Sequence, residues 1–440
     1  MKRFCNFLLI CLFLCFGLIS RATTINFHVR FEPDLKIATQ TADDGNLYSK
    51  VSLSGYKMEL TEGAPQLPVR YIKLIIPSEE EPSFIEYSKG NAEVLQIENL
   101  VYPAQKPIPT STEFTGNEFV NPDKEIYNSD SYYPSERVKV LRTDCVRGNK
   151  VVSLAVLPIC YNPVKGQVEF VTEIEITLHL KNSDKKPLTA PVRSKEQFDS
   201  YLKSLVDNEE DVEKYSVIKQ KQASGEAIDM KSTKSTSGIS INCDYVIITP
   251  SSLSSNFNDF IQWKRQKGID IELVTTEAIS SAYSGDDISG INDEAGKVRQ
   301  FLYEAYQNGL EYALLGGEGS TVPFRYGTGW NNSWDRIYWN INNSSYDTIF
   351  NAYKIPADLY YSEFEGDWDV DSDQFLGESD NDDVRFGVDI FVGRLLCNAG
   401  GYITDWTNKV MWYEKNPGNG SASYLRKAFY TQADQMQEDD

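Results

Sequence analysis

The chain has 440 residues, 41% hydrophobic and 12% aromatic, and its 43 Lys and Arg against 64 Asp and Glu give a formal charge of −21. That apolar and aromatic content excludes wholesale disorder, and the length exceeds what one compact core holds, so two or three domains are expected. The acidic balance excludes nucleic acid as a partner, because phosphate binding depends on clustered Lys and Arg, and it favours cations instead.

Residues 1–22 read as a secretory signal peptide. Met1, Lys2 and Arg3 supply a basic start, and 4–19 is an almost unbroken apolar run, shorter than the roughly 18–20 residues of a spanning helix. Ser20 and Ala22 put small residues at the minus-three and minus-one positions of a cleavage site, so cleavage is expected after Ala22. A lipoprotein reading through Cys15 lacks the small residues such processing favours, since Leu12, Phe13 and Leu14 precede it. No later segment is apolar enough to span a bilayer. The mature chain is therefore expected to be exported, to the periplasm, the cell surface or the medium. It retains Cys145, Cys160, Cys243 and Cys397, too scattered for a disulfide framework. Two readings stand: one bridge between Cys145 and Cys160, or isolated buried thiols.

From 24 to 181, short alternating runs broken by Pro, Gly and Asn predict half-buried strands, as in 151–156 and 168–178, with a turn at 161–166. This is an antiparallel β-domain, a sandwich or barrel. Ser194 and Gln197 then form a capping box before Phe198, Tyr201, Leu202, Leu205 and Val206, which recur on one helical face and predict a docking helix. The β-domain with this C-terminal helix is placed at 23–215 and a linker at 216–240. Within the linker, 219–238 is rich in Lys, Ser, Thr, Gly and Gln and is expected to be exposed and protease-sensitive.

In 241–440 the period changes. Residues 245–250 read as a buried strand, 254–267 as a helix stopped by Gly268, and 271–275 as a strand. A helix over 293–308 stopped by Gly309 and a strand over 312–315 follow. The alternation predicts an α/β layer with a mainly parallel sheet and right-handed crossovers, functional groups gathering past the carboxyl ends of the strands, where Glu318 falls. A further strand is expected at 428–431, and the sheet is expected to be truncated, with an unfinished edge at residue 440.

Between 363 and 389 eleven acids face one base, Arg385, a density that repels itself unless a cation neutralises it. Asp367, Asp369, Asp371 and Asp373 occupy positions 1, 3, 5 and 7 of a twelve-residue window and Glu378 position 12, the spacing of a calcium-binding EF-hand loop. Position 6 is Ser372 where that motif wants Gly, and no clear helices flank the loop. Either the loop binds calcium or it is a solvated acidic surface. Paired-carboxylate catalysis is disfavoured, because closely spaced exposed acids do not raise one pKa in a dry pocket.

Several blocks in order carry a likeness: 244–250 (Asp-Tyr-Val-Ile-Ile-Thr-Pro), 263–269 (Trp-Lys-Arg-Gln-Lys-Gly-Ile), 312–318 (Tyr-Ala-Leu-Leu-Gly-Gly-Glu) with Val322 and Pro323, 357–361, 389–394 and 412–416. These resemble the opening of the gingipain catalytic domain. Residues 63–69 and 157–163 look like that family's propeptide. The resemblance spans the mature chain and implies an inhibitory β-rich prodomain followed by a caspase-like α/β cysteine-endopeptidase domain acting on protein or peptide substrates, the prodomain packing on it, with activating cleavage at 219–238. In the family a His in a His-Gly pair and a later Cys form the catalytic dyad, both downstream of the last matched block. This chain's two histidines, His28 and His179, fall outside the α/β region, and Cys397 is read as packing, so no catalytic residue is assigned. The resemblance also implies calcium, with Glu318 and Asp389 at positions where the family places acids. Two functions are carried: a secreted cysteine-endopeptidase precursor whose present residues are inactive alone, and a non-catalytic exported calcium-binding module that binds a partner or inhibits a protease.

Overall fold

The computed structural model describes residues 23–59, 61–105, 119–221, 239–327, 356–378 and 381–416, plus the backbone of short strands at 108–109, 337–340, 345–348, 355 and 436–437. The expected signal peptide, most of the expected linker, Asp380 and the strand expected at 428–431 lie outside them.

The paired strands described in the β-domain are antiparallel. Its strands are β1 (Thr24–Arg30), β2 (Lys36–Thr41), β3 (Leu47–Ser52), β4 (Pro68–Ile76), β5 (Glu80–Lys89), β6 (Ala92–Gln96), β7 (Val138–Val146), β8 (Asn149–Val156), β9 (Ile159–Asn162), β10 (Gln167–Val171) and β11 (Glu173–Asn182). They form sheets in the orders β1-β11-β5, β4-β8-β7 and β9-β10-β6, with β2 and β3 as a separate hairpin. On β11 the expected alternation holds: Ile174, Ile176, Leu178 and Leu180 point into the core. β8 differs, because it lies between β4 and β7 and is buried along its whole length, so alternation gives way to burial on both faces. The turn between β9 and β10 closes where Lys165 N donates to Asn162 Oδ1 at 3.0 Å and Gly166 adopts a φ of +59°. Helix α1 (Lys195–Leu205) begins as Ser194 Oγ accepts from Gln197 N, and it buries Phe198 and Leu202 in the β-domain core.

The α/β domain runs β12 (Tyr245–Thr249), α2 (Asn258–Gln266), β13 (Ile271–Thr275), α3 (Thr276–Ala282), α4 (Glu294–Gln307), β14 (Tyr312–Gly316), β15 (Phe391–Leu395) and α5 (Gly400–Lys415). The sheet order is β13-β12-β14-β15, all parallel. Neighbouring strand residues face opposite layers: Val246, Ile248, Ala313 and Leu315 pack with Phe301, Leu302 and Tyr306 of α4, while Ile247 and Leu314 pack with Phe257, Phe260 and Ile403. Gly268 and Gly309, at φ of +74° and +92°, end α2 and α4 as expected. Helix α3, which the sequence reading passed over, is capped by Thr275 Oγ1 accepting from Ala278 N. This is the expected architecture, a β-rich domain followed by a caspase-like α/β layer.

The first residues of the 219–238 stretch are tied to their neighbours. Val192 N donates to Lys219 O at 2.8 Å, Lys221 N to Val192 O at 2.7 Å, and Lys221 Nζ pairs with Asp244 Oδ1 at 2.8 Å. Lys219 and Gln220 are exposed, as expected for the linker, while these bonds tie its first residues to Val192 and Asp244.

Candidate functional site at the domain junction

The two domains meet at the hairpin joining β7 and β8. Arg147 and Gly148, at φ of 48° and 78°, make its two-residue turn. That turn drives the Arg147 side chain into the α/β domain, where it is 1% exposed. Its Nη1 donates to Leu310 O at 3.0 Å and Asp389 O at 2.6 Å, Nη2 donates to Pro191 O at 3.2 Å, and the guanidinium stands 4.8 Å from the Tyr306 ring centroid. The Arg147 main-chain N donates to Asp389 Oδ1 at 3.1 Å, and Phe364 N donates to Oδ2 at 2.9 Å. Burial first, then the neighbouring Glu365 and Glu363, pushes the Asp389 carboxyl well above its ordinary range, against the Phe364 N–H and the Arg147 cation.

Further ties surround this socket. Phe386 N donates to Asp144 Oδ1 at 3.0 Å, Arg385 Nη1 to Thr143 O at 3.2 Å, and the Arg142 guanidinium lies 4.3 Å over the Phe386 ring. Lys185 Nζ reaches Asp383 Oδ2 at 3.0 Å. A Cβ on Gly387 would fall 1.6 Å from Cys145 O, so the main chains are in direct contact there. Beside the hairpin is a cleft of about 640 Å³, lined by Arg142, Cys145 and Lys150 on one side and Glu365, Asp383 and Arg385 on the other.

The wall that carries Phe364 and Glu365 is fixed from inside the α/β domain. Arg299, with no exposed side-chain surface, donates from Nη1 to Asp286 Oδ2 at 2.7 Å and from Nη2 to Glu363 O at 2.8 Å and Gly366 O at 2.9 Å. Tyr360 OH donates to the same Asp286 oxygen at 2.9 Å. A buried guanidinium that satisfies two carbonyls and a carboxylate holds the loop more rigidly than apolar packing would.

Of the acids expected to bind metal, Glu318 and Asp389 are not brought together. Tyr312 pairs with Phe391 and Gly316 with Leu395 in parallel register. Asp389, which precedes β15, thus lies at the amino end of the sheet, and Glu318, which follows β14, at the carboxyl end. About five residues at roughly 3.3 Å each separate them. Glu318 accepts from Ser320 Oγ at 2.9 Å and from Asn398 Nδ2 at 3.4 Å.

In the acidic loop, Asp369, Asp371 and Asp373 each offer one oxygen within 4.8 Å of the others. Ser372 has a φ of 61°, the left-handed backbone for which the motif ordinarily uses Gly. Asp367 and Glu378 stand outside this trio: Asp367 Oδ1 accepts from Asp369 N at 3.0 Å, and Glu378, 8% exposed, accepts from Asn381 Nδ2 at 3.1 Å. The full twelve-residue ligand ring is therefore not assembled in this conformation.

Cys145, Cys160, Cys243 and Cys397 are free and buried, which removes the Cys145–Cys160 bridge. Cys160 Sγ instead contacts Pro134 O at 3.4 Å. His28 and His179 lie on the adjacent strands β1 and β11, near Glu173 and Glu86 respectively. The sequence reading missed Arg147, Arg299, Glu363 and Glu365. Only Arg147 had a signal, its Arg-Gly pair between two strand-like runs.

Residues 239–440 match the family described as Peptidase family C25, and residues 19–217 match Propeptide_C25. Gingipain R2 of Porphyromonas gingivalis is 24% identical over 306 residues, covering 66% of this chain and 35% of that protein, and gingipain R1 of the same organism is 24% identical over 233 residues, 51% of this chain and 20% of that protein. The chain thus spans about a third of the length of the first of these relatives. Among solved structures, the complex of the RgpB pro- and mature domains of P. gingivalis gives a TM-score of 0.34 at 17% identity, over 44% of this chain and 95% of that one. A structure addressing the zymogenic latency of gingipain K gives 0.32 at 18% identity, over 38% and 90%. Consecutive matches to the propeptide and the peptidase, together covering most of the chain, place it in peptidase family C25 as a gingipain-type cysteine-peptidase precursor.

Proposed function

We propose that this chain is exported by the signal peptide at 1–22 and is the latent part of a secreted cysteine endopeptidase that cleaves proteins after its propeptide is removed. The observation that carries the reading is Arg147, a propeptide guanidinium sealed into a socket of the peptidase domain over Asp389. Two carbonyl oxygens of the peptidase domain and the Tyr306 ring hold this guanidinium, so the propeptide stays docked by its own arginine. The latent state follows from that docking. Cleavage is placed within 219–238.

A thiol becomes a competent nucleophile beside a base. Both histidines of these 440 residues belong to propeptide strands, so the chain is expected to hydrolyse nothing by itself. Incubating the purified product with an arginyl peptide substrate tests this. Hydrolysis abolished by a thiol alkylator would overturn it.

Calcium is proposed at Asp369, Asp371 and Asp373, supported by their clustered oxygens and by the left-handed Ser372. When bound, the ion would supply charge neutralisation to the loop. Isothermal titration of the chain should give heats that Asp369→Ala with Asp371→Ala removes. The same trio supports the second reading, a non-catalytic exported calcium-binding module, and that reading gains if calcium binds while no peptide is cleaved under any processing.

A further inference from the structure

Residues 187–193 belong to the propeptide by sequence but do not stay with it. The chain leaves β11, passes between the β7–β8 hairpin and helix α4, and returns to start α1 at Ser194. Along this crossing its side chains divide between two interiors. Ala190, 3% exposed, belongs to the core of the peptidase domain, and half-buried Leu188 packs against that core. Val192, fully buried, belongs to the core of the propeptide. The main chain is claimed from both sides as well. Tyr306 OH of α4 donates to Leu188 O at 2.8 Å, Arg147 Nη2 donates to Pro191 O at 3.2 Å, and Arg193 N donates to Glu311 Oε1. The hairpin rests on the strap so closely that a Cβ on Gly148 would lie 2.7 Å from Thr189 Cγ2 and 2.8 Å from Leu188 O.

We infer that residues 187–193 are the strap by which the propeptide is held, with Arg147 seated by the strap rather than holding the propeptide alone. The inference deepens the propeptide reading above and rests on it. The physical reason is the difference between the two contacts. Arg147 exchanges hydration for protein acceptors, which offset one another in large part. The strap fills volume in the peptidase core, and withdrawing it leaves a cavity beside Tyr306 and Leu310 while stranding the Tyr306 hydroxyl.

The test uses the full chain with a specific protease site placed between residues 222 and 238, cut after folding. Wild-type halves should stay together on size exclusion at micromolar concentration. Leu188→Asp, which sets a charge against the peptidase core, should weaken the nicked complex about a hundredfold or more, and Arg147→Met about tenfold. Wild-type halves that separate on nicking would sink the propeptide reading itself. Halves that remain together, with Leu188→Asp no weaker than Arg147→Met, would sink the strap inference alone. Should Leu188→Asp fail to fold, hydrogen exchange on the uncut wild type decides: the amides of Val192 and Lys221 are expected to exchange as slowly as those in the middle of α4, and loop-like exchange there overturns the inference.

Discussion

Arg147 reaches Asp389 with its main chain and its side chain at once, N to Oδ1 at 3.1 Å and Nη1 to the carbonyl oxygen at 2.6 Å. Removing the guanidinium leaves Leu310 O and Asp389 O without that donor inside a buried junction. Arg147→Ala is expected to cost about 3–5 kcal/mol in urea unfolding of the whole chain, and Arg147→Met less, because its volume is kept. A cost below about 1 kcal/mol for the alanine variant would show that the socket does not depend on its arginine.

Glu414 ties α5 to α2. It accepts from Lys264 Nζ and Trp263 Nε1, each at 2.7 Å, and from Lys267 Nζ at 2.9 Å. Burial raises its pKa, but these donors outweigh burial and hold it down at about 2, against an ordinary 4.5. The sign follows from linkage: the folded state binds the proton more weakly than the unfolded chain, so the group's stabilisation is complete above about 4.5 and is lost as pH falls toward 2. Glu414→Gln should flatten the stability profile across that window, measured by thermal melts at a series of pH values.

Gly387 tolerates no side chain. Gly387→Ala puts a methyl group against Cys145 O, and relieving the clash should cost about 1–3 kcal/mol or more. Gly393→Ala is a suitable control, since nothing lies within 4 Å of its Cβ position. Equal melting temperatures for the two variants would contradict the close approach.

Ser372 occupies left-handed backbone at a φ of 61°. Ser372→Val, with a branched side chain, should destabilise the acidic loop by about 1–2 kcal/mol. Faster amide exchange confined to the acidic loop is the expected signature.

The thiols should behave as packing groups. Burial above all pushes Cys160 up to about 11 and Cys243 up to about 12, and it raises Cys145 and Cys397 as well. Thiolate chemistry at neutral pH is therefore suppressed. In the signal-free chain a thiol reagent should titrate four groups after denaturation and react slowly before it, with gel mobility unchanged by reductant.

What the sequence made legible was local. Ser194 before an amphipathic run, Gly268 and Gly309 after helical ones, and the runs that became β12, β13 and β14 carry their structure in near neighbours, so each could be placed without knowing the rest. Arg147 and Asp389 are 242 positions apart, and no pattern in either stretch marks the other as a partner. The parallel register also separates Glu318 from Asp389: an acid before one strand and an acid after its neighbour sit at opposite ends of the sheet. Burial of β8 on both faces was hidden for a similar reason, since only the fold decides which strands acquire two neighbours and a covered back.

Val192 and Ala190, two positions apart, are walls of different rooms. If the propeptide loosens, the peptidase interior loses part of its lining in the same event, and the reverse holds too. Neither half should melt ahead of the other, and calorimetry of the intact precursor is expected to record one heat-absorption peak where two independent bodies would give two.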